Sequence, residues 1–341
     1  MGAVWCCSSM WWGLSGVARL CDGGLSGVAR LCDGGCLVLL VYVMEGCLVL
    51  LVYVMEGCLV LLVYVMEGYD TRIADVVSEH VRVLCWVLVQ DGAFHTKAVH
   101  INNTWGKRCD RLLFFGSTTN ETSPVIGLGV KDGRHRLAKK TFAALAYVFK
   151  HHFNDADWFL KADVDTFVVM ENLKYFLSDE DTTRPVWFGE HYKPYLSPWS
   201  YNSGGAGYVL SREALRRFGS HVGHSLACTN ANGPEDATLG YCLQTLNVKV
   251  GNTTDKHGRS RFHFDMAPDQ IAGRQLPWYK HYLAGPYRKG LEWMSDYPIS
   301  FHYAKTHDLL ALEFFFYTVR PRGVFRGFPE INRASSGDTR R

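Results

Sequence analysis

Short apolar runs alternate with amphipathic stretches along most of the chain. Continuous runs rich in β-branched residues predict buried strands at residues 81–89, 111–116, 157–162 and 185–189. Apolar residues at helical spacing predict helices at residues 95–104, 137–153 and 170–177. Strands that alternate with helices predict an α/β fold with a mostly parallel central sheet. Ligands of such sheets bind beyond the carboxyl ends of the strands.

The first 67 residues follow another pattern, because they contain identical tandem repeats. The unit GLSGVARLCDG occupies residues 13–23 and 24–34, and GCLVLLVYVME then occurs three times over residues 35–67. Folded repeat proteins differ at their capping repeats. The identity of the copies therefore indicates recent duplication or an error in the gene model, and we infer no fold from it. We expect residues 1–78 to contribute nothing to catalysis.

The second repeat could anchor the chain in a membrane. Glu45 and Glu56 interrupt the apolar run before it reaches the length of a typical span. The leucines and valines of residues 36–54 still contribute about −4 to −7 kcal/mol to insertion, against about +3 for one central acid. Arg19 and Arg30 precede this window and favour a cytoplasmic N-terminus. The sequence predicts a single-pass anchor with a luminal C-terminal domain; a cleaved signal or a mis-predicted exon are the alternatives.

Composition narrows the class of protein. Hydrophobic residues make up 48% and charged residues 20% of the chain, as in ordinary globular proteins, and the net charge is +3. No run of lysine and arginine indicates nucleic-acid binding. Three N-x-S/T sequons, beginning at Asn102, Asn120 and Asn252, favour a luminal protein.

Four of the eleven cysteines lie beyond the repeats, at Cys85, Cys109, Cys228 and Cys242. An even number is compatible with two disulfides in an oxidising compartment. The absence of a C-x-x-C pair in the sequence argues against a zinc site. Four buried free thiols are the alternative.

The most informative segment is the pair Asp163 and Asp165, which follows the apolar strand WFLKA. Two acids spaced i, i+2 at a strand end can project together into a cleft. Carboxylate oxygens suit Mn²⁺ or Mg²⁺, and such a cation can stabilise a departing diphosphate. A D-x-D pattern also occurs by chance in many proteins. The prediction of a metal site is stronger here because a buried strand directly precedes the two acids.

The stretch NDADWFLKADVDTFVVMENLKYFLS resembles the metal-binding region of core 1 β1,3-galactosyltransferases, a fringe-like group of GT-A glycosyltransferases. Four further blocks agree in order: VRVLCWVLV, NTWGKRCDRLLFFGS, NSGGAGYVLSREALRRF and SFHYAKTHDLLALEFFFYTVRP. The resemblance covers roughly residues 79–322. It implies a GT-A, Rossmann-like transferase domain over residues 79–325, after an N-terminal segment 1–78 and before a polar tail 326–341.

The resemblance also implies an activity and a location. The activity is inverting transfer of galactose from UDP-galactose to GalNAc-α-Ser/Thr of glycoproteins, which forms the core 1 O-glycan. The expected location is the Golgi membrane, as a single-pass type II protein with a luminal catalytic domain, and a homodimer is an expected assembly. Two alternatives stay open: a catalytically inactive chaperone-like relative, which would lack the D-x-D, or a fringe-like transferase that uses another UDP-sugar.

The resemblance assigns roles to single residues. Asp165 and His302 of the SFHY block would bind Mn²⁺, with Asp163 beside the donor ribose or a metal-bound water. Asp236 in GPEDATLG would be the general base, because an inverting transferase needs a carboxylate opposite the leaving diphosphate. Glu235 is a possible substitute on the acceptor side; an ordinary solvated helix start is the structural alternative for both acids.

Further residues are expected around the substrates. Ser203–Gly207 is predicted to be a tight loop before a helix, where Gly204 and Gly205 let the backbone approach a sugar closely. Lys161 would meet a donor phosphate, or else lie on the surface. Trp278 and Tyr279 match an aromatic block that shapes the acceptor side, although a buried aromatic is more often part of the core.

The chain departs from the family pattern at three places. Val164 stands between the two acids where the family has a third acid, Trp293 and Met294 replace adjacent cysteines, and HINN at residues 100–103 replaces a basic segment. The first change should not abolish metal binding, because the central residue need not touch the metal. The pairs Cys85–Cys109 and Cys228–Cys242 are compatible with the family's disulfides.

Overall fold

The computed structural model describes two compact units, Met1–Thr71 and Arg72–Arg341. The backbone is described for residues 25–32, 36–44, 47–55, 61–64, 72–119, 122–194, 197–274 and 276–319, and side chains only from residue 72 onwards. The second unit begins seven residues before the sequence-predicted boundary at residue 79, because the first helix belongs with it.

The repeats of the first unit form an antiparallel sheet in which each strand pairs with the next. Its strands are β1 (Leu25–Cys32), β2 (Cys36–Met44), β3 (Cys47–Met55) and β4 (Leu61–Tyr64). The predicted anchor at residues 36–54 thus falls on β2 and β3, whose β-branched residues favour extended backbone. In the parts of the chain that are described, no helix combines the length and apolarity needed to cross a membrane. The anchor stays a prediction.

The second unit contains the remaining elements. Its strands are β5 (Val83–Leu88), β6 (Arg111–Gly116), β7 (Val125–Gly127), β8 (Trp158–Ala162), β9 (Phe167–Val168), β10 (Val186–Gly189), β11 (His191–Tyr192), β12 (Tyr201–Asn202), β13 (Tyr208–Ser211), β14 (Lys249–Val250), β15 (Phe262–His263) and β16 (Ser300–Phe301). Its α-helices are α1 (Arg72–His80), α2 (Val99–Asn103), α3 (Leu137–His152), α4 (Met170–Ser178), α5 (Arg212–His221), α6 (Glu235–Thr245), α7 (Ala267–Ile271), α8 (Tyr279–Tyr282) and α9 (Thr306–Tyr317).

Seven strands form the central sheet in the order β14-β10-β13-β8-β5-β6-β7. Within this sheet β13 runs antiparallel to both neighbours, and the other adjacent pairs are parallel. The predicted α/β fold with a mostly parallel sheet is confirmed. The predicted strands and the helices at 137–153 and 170–177 are all present, while the helix at 95–104 begins as a π-helical turn, Phe94–Ala98, before α2.

Burial explains why the strand predictions succeed. Every residue of β8 is buried, and so are the residues of β5 up to Val87. Helices cover the sheet, and the rings of Phe142 on α3 and Phe218 on α5 meet edge to face at a centroid distance of 5.3 Å. Strands enclosed on both faces are apolar along most of their length, which is the pattern seen in the sequence.

The loop Ser203–Gly207 leads into a strand, so the prediction that it directly precedes a helix is wrong. The residues YVLS that follow form β13, whose four side chains are all buried, and α5 begins only at Arg212. Ser211 caps that helix by accepting a hydrogen bond from the amide of Ala214 at 3.1 Å. Because β13 is antiparallel to β8, with Tyr208 paired to Lys161, the loop lies at the carboxyl end of β8.

A smaller sheet of order β15-β16-β9 lies in the same unit. Its strand β16 pairs antiparallel with β9, so that Phe301 lies opposite Phe167. The chain before β9 is the Asp163–Thr166 turn, and the chain after β16 begins with His302. Pairing of these two short strands therefore brings together segments that are far apart in the sequence.

Both disulfides that the resemblance allowed are present and confirm the predicted pairings. Cys85 of β5 is bonded to Cys109, and Cys228 is bonded to Cys242 of α6. The first joins the strand β5 to the TWGKRC block, and the second joins α6 to the loop before it. The alternative of four free thiols is wrong.

Candidate active site

The acidic pair lies in a tight turn at the end of β8. The amide of Thr166 donates to the carbonyl of Asp163 at 3.1 Å, and the Thr166 hydroxyl accepts from the amide of Asp163 at 3.1 Å. The indole of Trp105 donates to the Thr166 carbonyl at 2.9 Å. Val164, which stands between the two acids, packs against the hydrophobic core, and the candidate ligand atoms come from its neighbours Asp163 and Asp165. The turn is therefore fixed before any ligand binds.

Asp163, Asp165 and His302 converge on one point, and one possible ligand atom from each lies within 4.8 Å of the others. The Nε2 atom of His302 is 3.4 Å from Asp165 Oδ1 and 3.9 Å from Asp163 Oδ2. Its Nδ1 atom lies 3.1 Å from the Phe264 carbonyl, which assigns the ring proton to Nδ1. Nε2 is then free to act as a ligand, the arrangement expected of a metal-binding histidine.

This donor set fits a divalent cation that accepts both oxygen and nitrogen ligands, such as Mn²⁺. Burial acts to raise the pKa of Asp165, but its hydrogen bond and charge attraction to His302, which the ring exerts when Nε2 also carries a proton, outweigh burial and lower that pKa. The carboxylate form that a cation needs is thereby favoured. The cluster of two acids and one histidine confirms that the predicted metal residues meet; it does not by itself select Mn²⁺.

Lys161 lies beneath the acidic pair and its side chain is only 2% exposed, so the alternative of a surface lysine is wrong. Its Nζ atom is 2.7 Å from Asp163 Oδ1 and 3.7 Å from Glu235 Oε2. It also donates to the carbonyl of Gly204 at 2.9 Å. Burial acts to lower the pKa of Lys161, but the surrounding carboxylates raise it overall, so the buried ammonium stays charged.

Asp236 and Glu235 begin α6 and have different surroundings. The carboxylate of Asp236 accepts from the amide of Gly204 at 3.0 Å and from that of Ala237 at 2.8 Å, and Asp236 lines the cleft. Glu235 is 10% exposed and accepts from the hydroxyl of Tyr208 at 2.7 Å. Burial raises the pKa of Glu235, while the attraction of Lys161 opposes this rise. The alternative of a solvated helix start is wrong for Glu235.

These groups line a cleft of about 950 Å³, which is within the range of small-molecule sites. Beyond Asp163 and His302 its walls include Gly204 and Gly205 of the loop, the basic residues Arg134 and His135, and several aromatic side chains. Gly205 is needed for space, because a side-chain carbon there would collide with the His302 ring. Gly205 thus acts through close packing on the predicted metal ligand, whereas a side-chain carbon at Gly204 would collide with the carboxylate of Glu235.

Four aromatic side chains line one part of the cleft, and we call them the aromatic wall: Tyr192, Phe264, Trp278 and Tyr282. Trp278 is 38% exposed and its ring is 5.0 Å from that of Phe264 and 5.2 Å from that of Tyr282, measured between centroids. Tyr279, in contrast, is fully buried and does not line the cleft. Consecutive helical residues point in different directions, so only the first residue of the predicted Trp278–Tyr279 pair faces the cleft.

No sequence pattern indicates a role for Glu190, a single acid after β10. Its side chain is buried and accepts from the hydroxyl of Tyr192 at 2.9 Å, from the amide of Phe264 at 3.0 Å and from the hydroxyl of Tyr279. Burial raises the pKa of Glu190 to about 8, although these hydrogen bonds act to lower it. Trp293, at a family cysteine position, donates to the Tyr279 hydroxyl at 3.1 Å.

The profile of the Fringe-like family matches residues 90–309 of this chain. A glycoprotein-N-acetylgalactosamine 3-beta-galactosyltransferase 1 of Xenopus laevis is 40% identical over 261 residues, which is 74% of this chain and 71% of that protein. A beta-1,3-glucosyltransferase of Mus musculus is 29% identical over 207 residues, 59% of this chain and 41% of that protein. A crystal structure of an active-site mutant of LgtC is 12% identical, with a TM-score of 0.38 over 70% of this chain and 98% of that one.

Gly205→Ala should damage the metal site without removing a ligand. The added methyl group would occupy the position of the His302 ring, so the histidine must move away from the two carboxylates. We expect the affinity for Mn²⁺ to fall by about tenfold or more, the size of effect seen for groups that orient metal ligands. Calorimetric titration with Mn²⁺ measures it. Gly285→Ala is the control, because its methyl group meets nothing; equal affinities in the two variants would contradict the prediction.

The raised pKa of Glu190 predicts a pH-dependent stability. Tyr192, Tyr279 and Asp265 are the titratable groups that face it. Because folding raises this pKa from 4.5 to about 8, the folded state binds the proton more tightly, and the free energy of unfolding falls as the pH rises through this interval. Glutamine does not titrate. The melting temperature of the parent protein minus that of Glu190→Gln should therefore decrease from pH 5 to pH 8 in thermal scans; a constant difference would contradict the assignment.

Proposed function

The chain belongs to the Fringe-like family of glycosyltransferases, and we propose that it transfers galactose from UDP-galactose to the 3-hydroxyl of GalNAc-α-Ser/Thr on glycoproteins. The product is the core 1 O-glycan, formed with inversion at the transferred sugar. The observation that carries the proposal is the meeting of Asp163, Asp165 and His302 beside a glycine loop whose Gly204 amide donates to Asp236. The extent of the similarity to the Xenopus laevis enzyme supports galactose and GalNAc as the two sugars.

Asp163, Asp165 and His302 would hold Mn²⁺ in this proposal. A bound cation would supply Lewis-acid stabilisation of a departing diphosphate. The chain's own part is to keep the three ligand atoms converged, through the Thr166 turn and the Phe264 carbonyl. Lys161 keeps Asp163 in place and adds a positive charge beneath the donor side, although its Nζ atom already has three protein partners.

Asp236 would accept the proton of the attacking hydroxyl. A carboxylate bound to a cation is a poor base, because the cation withdraws its electron density, so the base must lie outside the metal triad. The amides of Gly204 and Ala237 orient the Asp236 carboxylate at the edge of the cleft. Glu235 is less suited to this role, because its carboxylate accepts from Tyr208 and Thr141 inside the protein.

The aromatic wall would bind the acceptor sugar. The C–H faces of a sugar stack on aromatic rings, and Trp278 offers a partly exposed indole supported by two other rings. Tyr279 would act indirectly, because its buried ring packs against Trp278 from inside the protein. The exposed rings thus complete a cleft with a cation side, a base and an apolar sugar platform.

The proposal extends to the location of the enzyme. Two disulfides are typical of the oxidising secretory pathway. Of the described sequons, Asn102 and Asn252 are exposed, and the hydroxyl of Thr254 donates to Asn252 Oδ1 at 2.9 Å. We propose a luminal catalytic domain in the Golgi. Its single-pass anchor and its homodimer remain predictions from the sequence.

A donor and acceptor screen tests the proposal. The full chain is incubated with Mn²⁺, a GalNAc-threonine peptide and either UDP-galactose, UDP-glucose or UDP-GlcNAc, and products are identified by mass spectrometry and NMR. We expect a β1,3-linked galactose on GalNAc. Transfer of another sugar would support the alternative fringe-like transferase, and no transfer with any donor would support the inactive chaperone-like relative.

Asp236→Asn should separate the base from the donor site. Asparagine keeps the shape of the side chain but cannot take up the proton, so kcat should fall by about 10² or more. UDP affinity, measured by calorimetry with Mn²⁺ present, should stay nearly unchanged because Asp236 is not a metal ligand. An equal collapse of UDP binding would make Asp236 a donor-site residue, and an unchanged kcat would turn attention to Glu235.

A further inference from the structure

One buried carboxyl group holds the aromatic wall together. Glu190 is 2% exposed and accepts hydrogen bonds from the hydroxyl of Tyr192, the amide of Phe264 and the hydroxyl of Tyr279. These three donors come from different segments: β11, the chain after β15, and α8. The backbone carbonyl of Glu190 also accepts from the amide of Ser203, in the loop beside the base.

Each segment bound by Glu190 contributes to the cleft. β11 carries Tyr192, the chain after β15 carries Phe264, and α8 carries Tyr282, with Trp278 at its start. The rings of Phe264 and Tyr279 stack at a centroid distance of 4.8 Å, and the amide of Lys193 donates to the Tyr282 carbonyl at 2.7 Å. The relative positions of the three segments therefore set the shape of the wall.

These segments have little regular structure of their own to hold them. β11 and β15 are two residues long, and α8 is a single turn of four residues. Short elements of this kind depend on side-chain contacts for their placement. Without Glu190, two phenol hydroxyls and one amide would lose their acceptor inside the protein, which is unfavourable until the segments move apart to reach water.

We propose that Glu190 is a positioning residue for the acceptor: it fixes Tyr192, Phe264 and Trp278 in one surface, so that binding of the acceptor sugar depends on it. The inference rests on the proposed function for the identity of that sugar. Trp293 extends the same network, because its indole donates to the Tyr279 hydroxyl.

We expect the loss of the Glu190 carboxyl group to displace the proposed metal ligands much less than the aromatic wall. Phe264 does connect the two, since its amide donates to Glu190 and its carbonyl faces His302 Nδ1. His302 is also held by its own amide, which donates to the carbonyl of His263 at 3.1 Å, and by the strand β16 before it. A shift of Phe264 therefore leaves further restraints on the metal ligand.

Two variants test the network around Glu190, and a third variant is a control at another carboxyl group. Glu190→Met keeps about the length of the side chain but removes both acceptor oxygens, so neither tyrosine hydroxyl nor the Phe264 amide keeps its acceptor. Tyr279→Phe removes one of the bonds to Glu190 together with the bond from the Trp293 indole. Glu171→Met is the control, because Glu171 also accepts from a tyrosine hydroxyl, that of Tyr317, outside the cleft lining.

Steady-state kinetics of the full chain give the first test, with UDP-galactose, Mn²⁺ and a GalNAc-threonine peptide. In Glu190→Met the acceptor KM should rise by about tenfold or more, as displaced binding groups produce, and Tyr279→Phe should show a smaller rise. The donor KM and the Mn²⁺ dependence should stay nearly unchanged, and Glu171→Met should match the parent throughout. Equal losses on the donor and acceptor sides would overturn the proposal, because they would indicate a general structural role.

Amide hydrogen exchange tests the positioning role of Glu190 in the absence of any acceptor. Its result therefore does not depend on whether the proposed function is correct. Exchange at the amides of Phe264 and Lys193 should increase in Glu190→Met and not in Glu171→Met, while the Thr166 amide stays protected. Unchanged exchange at Phe264 and Lys193 would overturn the inference even in an active enzyme. If exchange increases but the parent protein does not use GalNAc peptides, the positioning role stands and the proposed function is wrong.

Discussion

The geometry of the cleft depends on one buried positive charge, the ammonium group of Lys161. A charge without water must be surrounded by acceptors, and here these are Asp163, the Gly204 carbonyl and Glu235. Asp163 belongs to the metal cluster, Gly204 orients Asp236, and Glu235 begins α6. The hydrogen bonds and ion pairs of a single ammonium group thus set the mutual positions of the proposed metal ligands, the glycine loop and the proposed base.

The fold was predictable from sequence where the chain is enclosed on both faces. β5 is apolar along its whole length, and β8 is apolar except at Lys161, because both strands are enclosed by the protein. β13 was missed because it directly follows a glycine-rich loop, which was interpreted as a turn into a helix. The direction of β13 is set by tertiary pairing with β8, which no local pattern reveals.

The site was predictable where its chemistry is carried by residue type and family resemblance. Asp163, Asp165 and His302 were expected to meet, and pairing of β9 with β16 brings them together. Tyr279 and Glu190 show the limit of this reasoning. Whether an aromatic residue faces a cleft or the core depends on the orientation of one helical turn, and a lone acid after a strand resembles any surface acid until its burial is known.

Two networks therefore surround the cleft, one centred on the ammonium group of Lys161 and the other on the carboxyl group of Glu190. Lys161 links Asp163 to Gly204, and Gly204 in turn orients Asp236, so a change at Lys161 would disturb a proposed metal ligand and the proposed base together. Glu190 holds the aromatic wall and connects to the other network through backbone groups: the carbonyl of Phe264 faces His302, and the amide of Ser203 in the glycine loop donates to the Glu190 carbonyl. Because these connections run through the backbone, the side chains of the aromatic wall can change within this architecture while Asp163, Asp165, His302 and Asp236 keep their places.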